Sequence, residues 1–325
     1  MRLHENKELF QEAVIATSQQ IGIREIYVEK DYWVTFALYN IFKNKIGKET
    51  VFKGGTALSK CFNLIQRFSE DIDLVVLRKE GETANQLKNK IKKISKCVSD
   101  VLSETNIDGI TNKFGMLRKT AHIYPRNFIG HFEQVRDIII VESTWLGNFE
   151  PYTTANVKSF VYEMMLQRNQ QKIIDQYELN PFEVLVLNPK RTLCEKIMSL
   201  VRFSQTQNSI EDLRNKIRHI YDIHLMLRED HLNLFFHSDE FETILLRVAN
   251  DDIISFKNNN KWLANHPSTT IIFSETKDTW NKIKNVYTGS FRDLVYGEFP
   301  NEEEILKTLI VVADRLKRVK WDIKP

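Results

Sequence analysis

No run of eighteen apolar residues occurs anywhere in the 325-residue chain, and its opening, MRLHENKELF, holds no apolar block of the kind a secretory leader needs. A cytoplasmic protein with no membrane partner is expected. Cysteine is scarce: Cys61, Cys97 and Cys194 are odd in number, far apart and without a Cys-x-x-Cys pair. This argues against a disulfide framework and a zinc site, and leaves three buried thiols as the expectation. Nor does one charge dominate, with 46 basic against 43 acidic residues and a net charge of +3, so composition alone does not predict nucleic-acid binding. Repeats and low-complexity segments are missing as well. What remains is 42% hydrophobic and 27% charged, an ordinary globular balance in a chain long enough for two domains.

Against that plain background one segment stands out. Val51-Phe52-Lys53-Gly54-Gly55-Thr56-Ala57-Leu58-Ser59-Lys60 is followed, after six residues, by Arg67-Phe68-Ser69-Glu70-Asp71-Ile72-Asp73-Leu74-Val75-Val76. Ile72, Leu74 and Val76 alternate with Asp71 and Asp73, the period of a strand that buries one face and puts both carboxylates on the other. Asp is disfavoured in strands and like charges on one face repel, so hard divalent cations such as Mg²⁺ between the side chains would supply the missing compensation. Val51 and Phe52 read as the end of a short strand, and a helix is expected to begin near Thr56. Two glycines at such a turn let the backbone approach a phosphate, which the unpaired N–H groups and positive end of the helix attract. Thr56 can add a hydroxyl there, and Ser69, just ahead of the carboxylate strand, can donate to a phosphate oxygen.

The pattern Gly-Gly-Thr-x-Leu-x-Lys, six residues, Arg-x-Ser-x-Asp-Ile-Asp-Leu resembles the first motif of the AbiEii-type nucleotidyltransferases, the toxin halves of abortive-infection toxin–antitoxin pairs of bacteria within the polymerase-β-like superfamily. Val28-Glu29-Lys30-Asp31-Tyr32-Trp33 is similar to a helix preceding that motif, and Arg191-Thr192-Leu193-Cys194-Glu195-Lys196 and Arg218-His219-Ile220-Tyr221-Asp222-Ile223 resemble the family's later Lys and Asp motifs. The resemblance implies an α+β, polymerase-β-like nucleotidyltransferase fold, a mixed sheet flanked by helices, followed by a helical C-terminal domain. It also implies a Mg²⁺-dependent enzyme, using two ions and an NTP as substrate, that leaves NMP on the 3′ end of RNA, tRNA above all. A separately encoded antitoxin is the implied genetic partner. A protein side chain or an aminoglycoside is the alternative acceptor, and a non-catalytic RNA-binding module the alternative of another class.

Two-cation transfer needs a third carboxylate from a neighbouring strand. Glu142 is the candidate, at the end of the strand expected over Val135–Glu142, with Asp137 as its competitor; odd and even positions face oppositely, so only one of them can point at the metals. Asp71, Asp73 and Glu142 are thus the expected metal ligands and catalytic acids. The resemblance adds Lys196, as a contact to the triphosphate, and Asp222, near the cleft; Gly54, Gly55, Thr56 and Ser69 complete the nucleotide site. On spacing alone Lys196 is an exposed cation beside the Leu193, Ile197, Leu200 stripe, and Asp222 sits four residues after Arg218. Lys60 and Arg67 suit phosphate or a helix surface equally. His122, His131 and His224 have no metal-ligand spacing.

Coarsely, helices are expected over 5–20 and 28–44, strands at Thr120–Tyr124, Val135–Glu142 and Phe182–Leu187, and helical spacing thereafter. A domain change is expected near residue 185, giving a 1–185 nucleotidyltransferase domain and a 186–325 helical domain completing the cleft. The last helix, with Ile305, Leu309, Val312, Leu316 and Val319 in line, has Glu304 in a capping-box position. Between them a helix sets Leu87, Ile91, Ile94 and Val98 on one side and Lys88, Lys92 and Lys96 on the other, either a solvated face or a patch that tracks phosphates.

Overall fold

The computed structural model describes residues 1–69, 71–130, 135–147, 149–256 and 259–325. The chain forms two compact units: Met1–Asn63 with Phe68–Trp145 and Tyr152–Leu187, and Leu64–Arg67 with Leu146–Pro151 and Asn188–Pro325. Among the described residues no helix is long and apolar enough to cross a membrane.

The first unit is built on one mixed sheet. Its strands are β1 (Thr50–Lys53), β2 (Ile72–Val76), β3 (Ser103–Thr105), β4 (Leu117–Ile123), β5 (Ile139–Thr144), β6 (Tyr152–Val157) and β7 (Phe182–Leu187), in the order β3-β4-β5-β2-β1-β7-β6. β1 with β7 and β2 with β5 are parallel pairs, and the other neighbours are antiparallel. The Asp strand β2 therefore lies at the middle of the sheet, where both neighbours can bring side chains to it.

Six helices belong to this unit: α1 (Lys7–Ile21), α2 (Glu25–Phe42), α3 (Gly54–Phe62), α4 (Ala84–Ser99), α5 (Phe160–Gln167) and α6 (Gln171–Gln176). α1 starts on Asn6, whose side chain accepts from the Leu9 N–H, and stops at Gly22 in the left-handed region (φ 74°). α2 is unusual in burying Glu29, Lys30 and Asp31 in succession. Buried charges must be bonded. Glu29 accepts from the N–H groups of Asn127 (2.7 Å) and Phe128 (3.2 Å), Lys30 donates to the Arg136 carbonyl, and Asp31 takes Lys60 at 2.5 Å and the Phe160 N–H at 2.9 Å.

Several element boundaries differ from the sequence expectation, α2 starting at Glu25 rather than 28 and β4 at Leu117 rather than Thr120. β5 starts at Ile139, not Val135; ahead of it the Arg136 carbonyl is spent on Lys30 rather than on a ladder partner. Glu142 consequently sits inside the strand rather than at its end. α3 begins at Gly54, two residues before Thr56. β3 and β6 had no apolar run to announce them, being short or largely exposed.

The second unit is helical: α7 (Pro189–Phe203), α8 (Ser209–Arg214), α9 (Ile217–Arg228), α10 (Asp230–His237), α11 (Asp239–Ser255), α12 (Ile271–Ser274), α13 (Thr276–Thr288) and α14 (Glu302–Leu316). The expected stripes are inside: Leu193, Ile197 and Leu200 of α7, and Ile305, Leu309, Val312 and Leu316 of α14, are at most 1% exposed. Asn301 caps α14 and Glu304 returns its carboxylate to the Asn301 N–H at 2.8 Å.

Candidate active site

In register, Lys53 of β1 stands opposite Asp73 of β2, Asp73 opposite Glu142 of β5, and Glu142 opposite Lys119 of β4. Directly opposed residues share a face. One row across four strands thus reads cation, anion, anion, cation. Lys119 Nζ is 3.1 Å from Glu142 Oε2. Asp71, one residue before β2, has its Oδ1 buried without a hydrogen bond, 3.7 Å from the Arg136 guanidinium. Asp137 is about half exposed and paired with Arg126, so of the two candidates for a third acid the structure sets Glu142 beside Asp73.

The Gly-Gly turn closes on the same carboxylate. Gly54 has φ 80°, and a Cβ built on it would overlap the Asp73 carboxylate and lie 3.1 Å from its Cγ. Only glycine meets both demands. Gly54 and Gly55 form the first turn of α3, whose free N–H groups point out of the helix start. The Thr56 side chain is buried, with Oγ1 2.6 Å from the Asp71 carbonyl and 3.0 Å from Ser69 Oγ. Its hydroxyl ties the helix start to the carboxylate segment instead of being presented to a ligand. Ser69 remains half-buried beside it.

Burial, then the neighbouring Glu142 and Asp71 carboxylates, push the Asp73 carboxyl up to about 7, against the opposing pull of Lys53 and Lys119. The built-in cations therefore do not neutralise the cluster. Among the described residues no three acidic, His or Cys side chains converge as a ready-made metal cage. The donor chemistry nevertheless suits a hard cation: carboxylate oxygens only, one of them orphaned, and one on a carboxyl whose charged form burial and like charges disfavour until a cation is present. In this sense the chemistry of Asp71, Asp73 and Glu142 fits a hard divalent cation.

The lysine patch lies elsewhere. Arg118 of β4 pairs with Ser143 of β5, adjacent in sequence to Lys119 and Glu142 and so on the opposite face, and Arg118 donates to Ser95 of α4 at 2.6 Å. α4 thus covers the face away from Asp73 and Glu142, with Lys88, Lys92 and Lys96 exposed on its outer side. Lys90, by contrast, is buried and bonded to Glu49, Glu82 and the Leu77 carbonyl.

The helical unit holds a different cluster. Asp222 is fully buried; Arg67 donates to Oδ1 from Nε and to Oδ2 from Nη2, both at 2.7 Å, and Lys196 Nζ shares Oδ2 at 2.7 Å. Burial alone would raise its pKa, but the guanidinium and ammonium outweigh that and hold the carboxyl well below the usual range. Lys196, 6% exposed, is not a surface cation, and Arg67 is a partner that the spacing from Arg218 did not point to. Lys60 is likewise buried, on Asp31 and Thr35. Of the thiols only Cys194 is fully buried, Cys61 and Cys97 being intermediate. His122 and His224 are buried on Thr120 and Thr308, and His131 lies outside the described residues. Lys119 and Arg136 escaped the sequence reading; a strand that alternates Lys119 with buried Thr120 carried a weak signal, and a loop arginine carried none.

A family model described as "Nucleotidyl transferase AbiEii toxin, Type IV TA system" matches residues 37–307. The chain belongs to this family. It is a nucleotidyltransferase toxin of a type IV toxin–antitoxin system, with an NTP as substrate and an antitoxin as partner. The fold class and the family expected from the Gly-Gly and Asp motifs are the ones found. Curated proteins give no match. Among solved structures MenT4, a nucleotidyltransferase toxin from Mycobacterium tuberculosis H37Rv, is similar at 14% identity and a TM-score of 0.46, over 92% of this chain and 98% of that one.

Proposed function

We propose that this AbiEii-family enzyme transfers NMP from a Mg²⁺-bound NTP to the 3′ hydroxyl of an RNA, with tRNA as the acceptor and blocked translation in the cytoplasm as the outcome. The observation that carries the reading is the registered Asp73–Glu142 pair beside Gly54, whose charge its own lysines leave uncompensated.

Asp71, Asp73 and Glu142 would hold the ions, which when bound lower the pKa of the attacking hydroxyl and neutralise the leaving pyrophosphate. The N–H groups of Gly54 and Gly55 at the start of α3 attract the phosphates, and Ser69 adds a hydroxyl. Thr56 fixes the distance between that turn and Asp71. Lys196 spends one contact on Asp222 and has further N–H groups for a triphosphate oxygen, while Asp222 orients it. The separately encoded antitoxin opposes this activity. Lys53, Lys119 and Arg136 around the carboxylates suit an anionic acceptor better than a cationic aminoglycoside.

Incubating the protein with each labelled NTP, Mg²⁺ and total bacterial RNA tests the reading. Label in the tRNA band is expected. Label in a protein band, or in no band with any NTP, overturns the RNA acceptor.

A further inference from the structure

Glu142 and Asp71 each face a cation of the chain, and both pairs are partly exposed to solvent. Lys119 and Glu142 are 28% and 32% exposed at 3.1 Å; Arg136 and Asp71 are 44% and 39% exposed at 3.7 Å, too far for a hydrogen bond. Pairs of this kind contribute little, about 0–1 kcal/mol. The placement of the cations, however, is fixed. Lys119 is set by the β4–β5–β2 register, and the main chain at Arg136 is held by Lys30, which is 0% exposed, while the neighbouring Glu29 holds the main chain at Asn127 and Phe128. Helix α2 thus commits buried Lys30 to the main chain at Arg136 and buried Glu29 to the main chain at Asn127 and Phe128.

A partly exposed cation in a set position beside a carboxylate suits a group with two partners in turn. We propose that Lys119 and Arg136 are counter-ions of Glu142 and Asp71 in the metal-free protein and contacts to the triphosphate in the loaded one. The proposal rests on the reading of Asp71, Asp73 and Glu142 as the residues that hold the ions. With those carboxylates committed to divalent cations, Lys119 and Arg136 would be released from them, and an NTP would be the anion within their reach. A guanidinium fork and an ammonium both match phosphate oxygens. The lack of three converging acids among the described residues accords with this: two of the three lean on cations of the chain itself.

The test measures Mn²⁺ binding by calorimetry without nucleotide, binding of a non-hydrolysable NTP analogue at saturating Mn²⁺, and thermal melting with and without Mn²⁺. It compares wild type with Lys119→Met, Arg136→Met and Asp73→Asn. Removing a competing cation should tighten Mn²⁺ binding about two- to fivefold, the range that such a pair allows. The melting temperature should drop without metal and recover with it. Analogue affinity should fall about tenfold or more, as for loss of a charge-assisted hydrogen bond. Unchanged or weaker Mn²⁺ binding in both Met variants overturns the counter-ion role, and unchanged analogue affinity overturns the phosphate role. If Asp73→Asn binds Mn²⁺ as well as wild type, or wild type binds none, the metal assignment itself falls and takes the proposal with it.

Discussion

Asp73 and Asp222 are the same side chain under opposite management. Asp73 stands in a half-buried row of the sheet beside Glu142 and near Asp71, and burial with those like charges pushes it up to about 7. Asp222 is wholly enclosed, yet Arg67 and Lys196 hold it ionised far below its ordinary range. The first arrangement leaves charge to be met by something the chain does not contain; the second meets it from within. Unbalanced charge in a fixed geometry is costly unless a ligand relieves it, whereas a closed triad maintains structure and aims its members.

The sharpest way to separate the two is to neutralise each carboxylate in turn. Asp73→Asn should fold as well as wild type, since it removes repulsion, while nucleotidyl transfer falls roughly 10³-fold or more, about 4 kcal/mol or more of transition-state stabilisation. Steady-state kinetics beside a melting curve checks this; near-normal turnover would erase the contrast. Asp222→Asn should act first on stability. It strands two buried cations and is expected to cost about 3 kcal/mol or more, read as a shift in the denaturation midpoint. Because the folded pKa of Asp222 is depressed, its contribution is present above the unfolded value and is lost as pH falls below about 4. The Asn variant should therefore show a shallower loss of stability in acid than wild type. A variant as stable as wild type at pH 7 would mean the triad is not what holds Arg67 and Lys196 in place.

How much of this contrast could be read in the chain follows from the reach of each interaction. Alternation over Ile72, Asp73 and Leu74 and the Gly-Gly turn are local, and both were legible. The preference for Glu142 over Asp137 was not, because it depends on register with β2 and on where β5 begins, and the Lys30–Arg136 contact ahead of the strand spans 106 residues. Arg67 and Asp222 are 155 residues apart, so no spacing rule links them. The amphipathic pattern of α4 was plain as well, but which face of the sheet the helix covers is set by its connection to β2 and β4. Pattern showed which side of α4 is buried; it did not show that this side rests on the face away from the carboxylates.

Gly54→Ala probes the contrast from the backbone. An alanine at φ 80° is strained, and its Cβ overlaps the Asp73 carboxylate, so about 1–2 kcal/mol of stability should be lost. Transfer should fall further than stability does, because Asp73 must move to admit the methyl group. Compared with Asp222→Asn, a small stability cost with a large kinetic one is expected. The reverse ratio would make Gly54 a turn residue with no part in the site.

The smallest effect should come from charge that is neither unbalanced nor enclosed. Lys88, Lys92 and Lys96 are exposed on the outer side of α4, over the sheet face away from Asp73 and Glu142. Replacing all three with Gln should change stability by less than about 0.5 kcal/mol and leave NTP and Mn²⁺ binding untouched. RNA affinity offers the finer measure. If the acceptor's 3′ end approaches along the carboxylate face, these lysines make few phosphate contacts, and the slope of log affinity against log salt should stay within about one unit of wild type. A loss of two or three units would mean that the body of the RNA wraps onto the far face while its end reaches Asp73. The recognition surface would then be separate from the catalytic one, and the two faces of one sheet would share a single substrate.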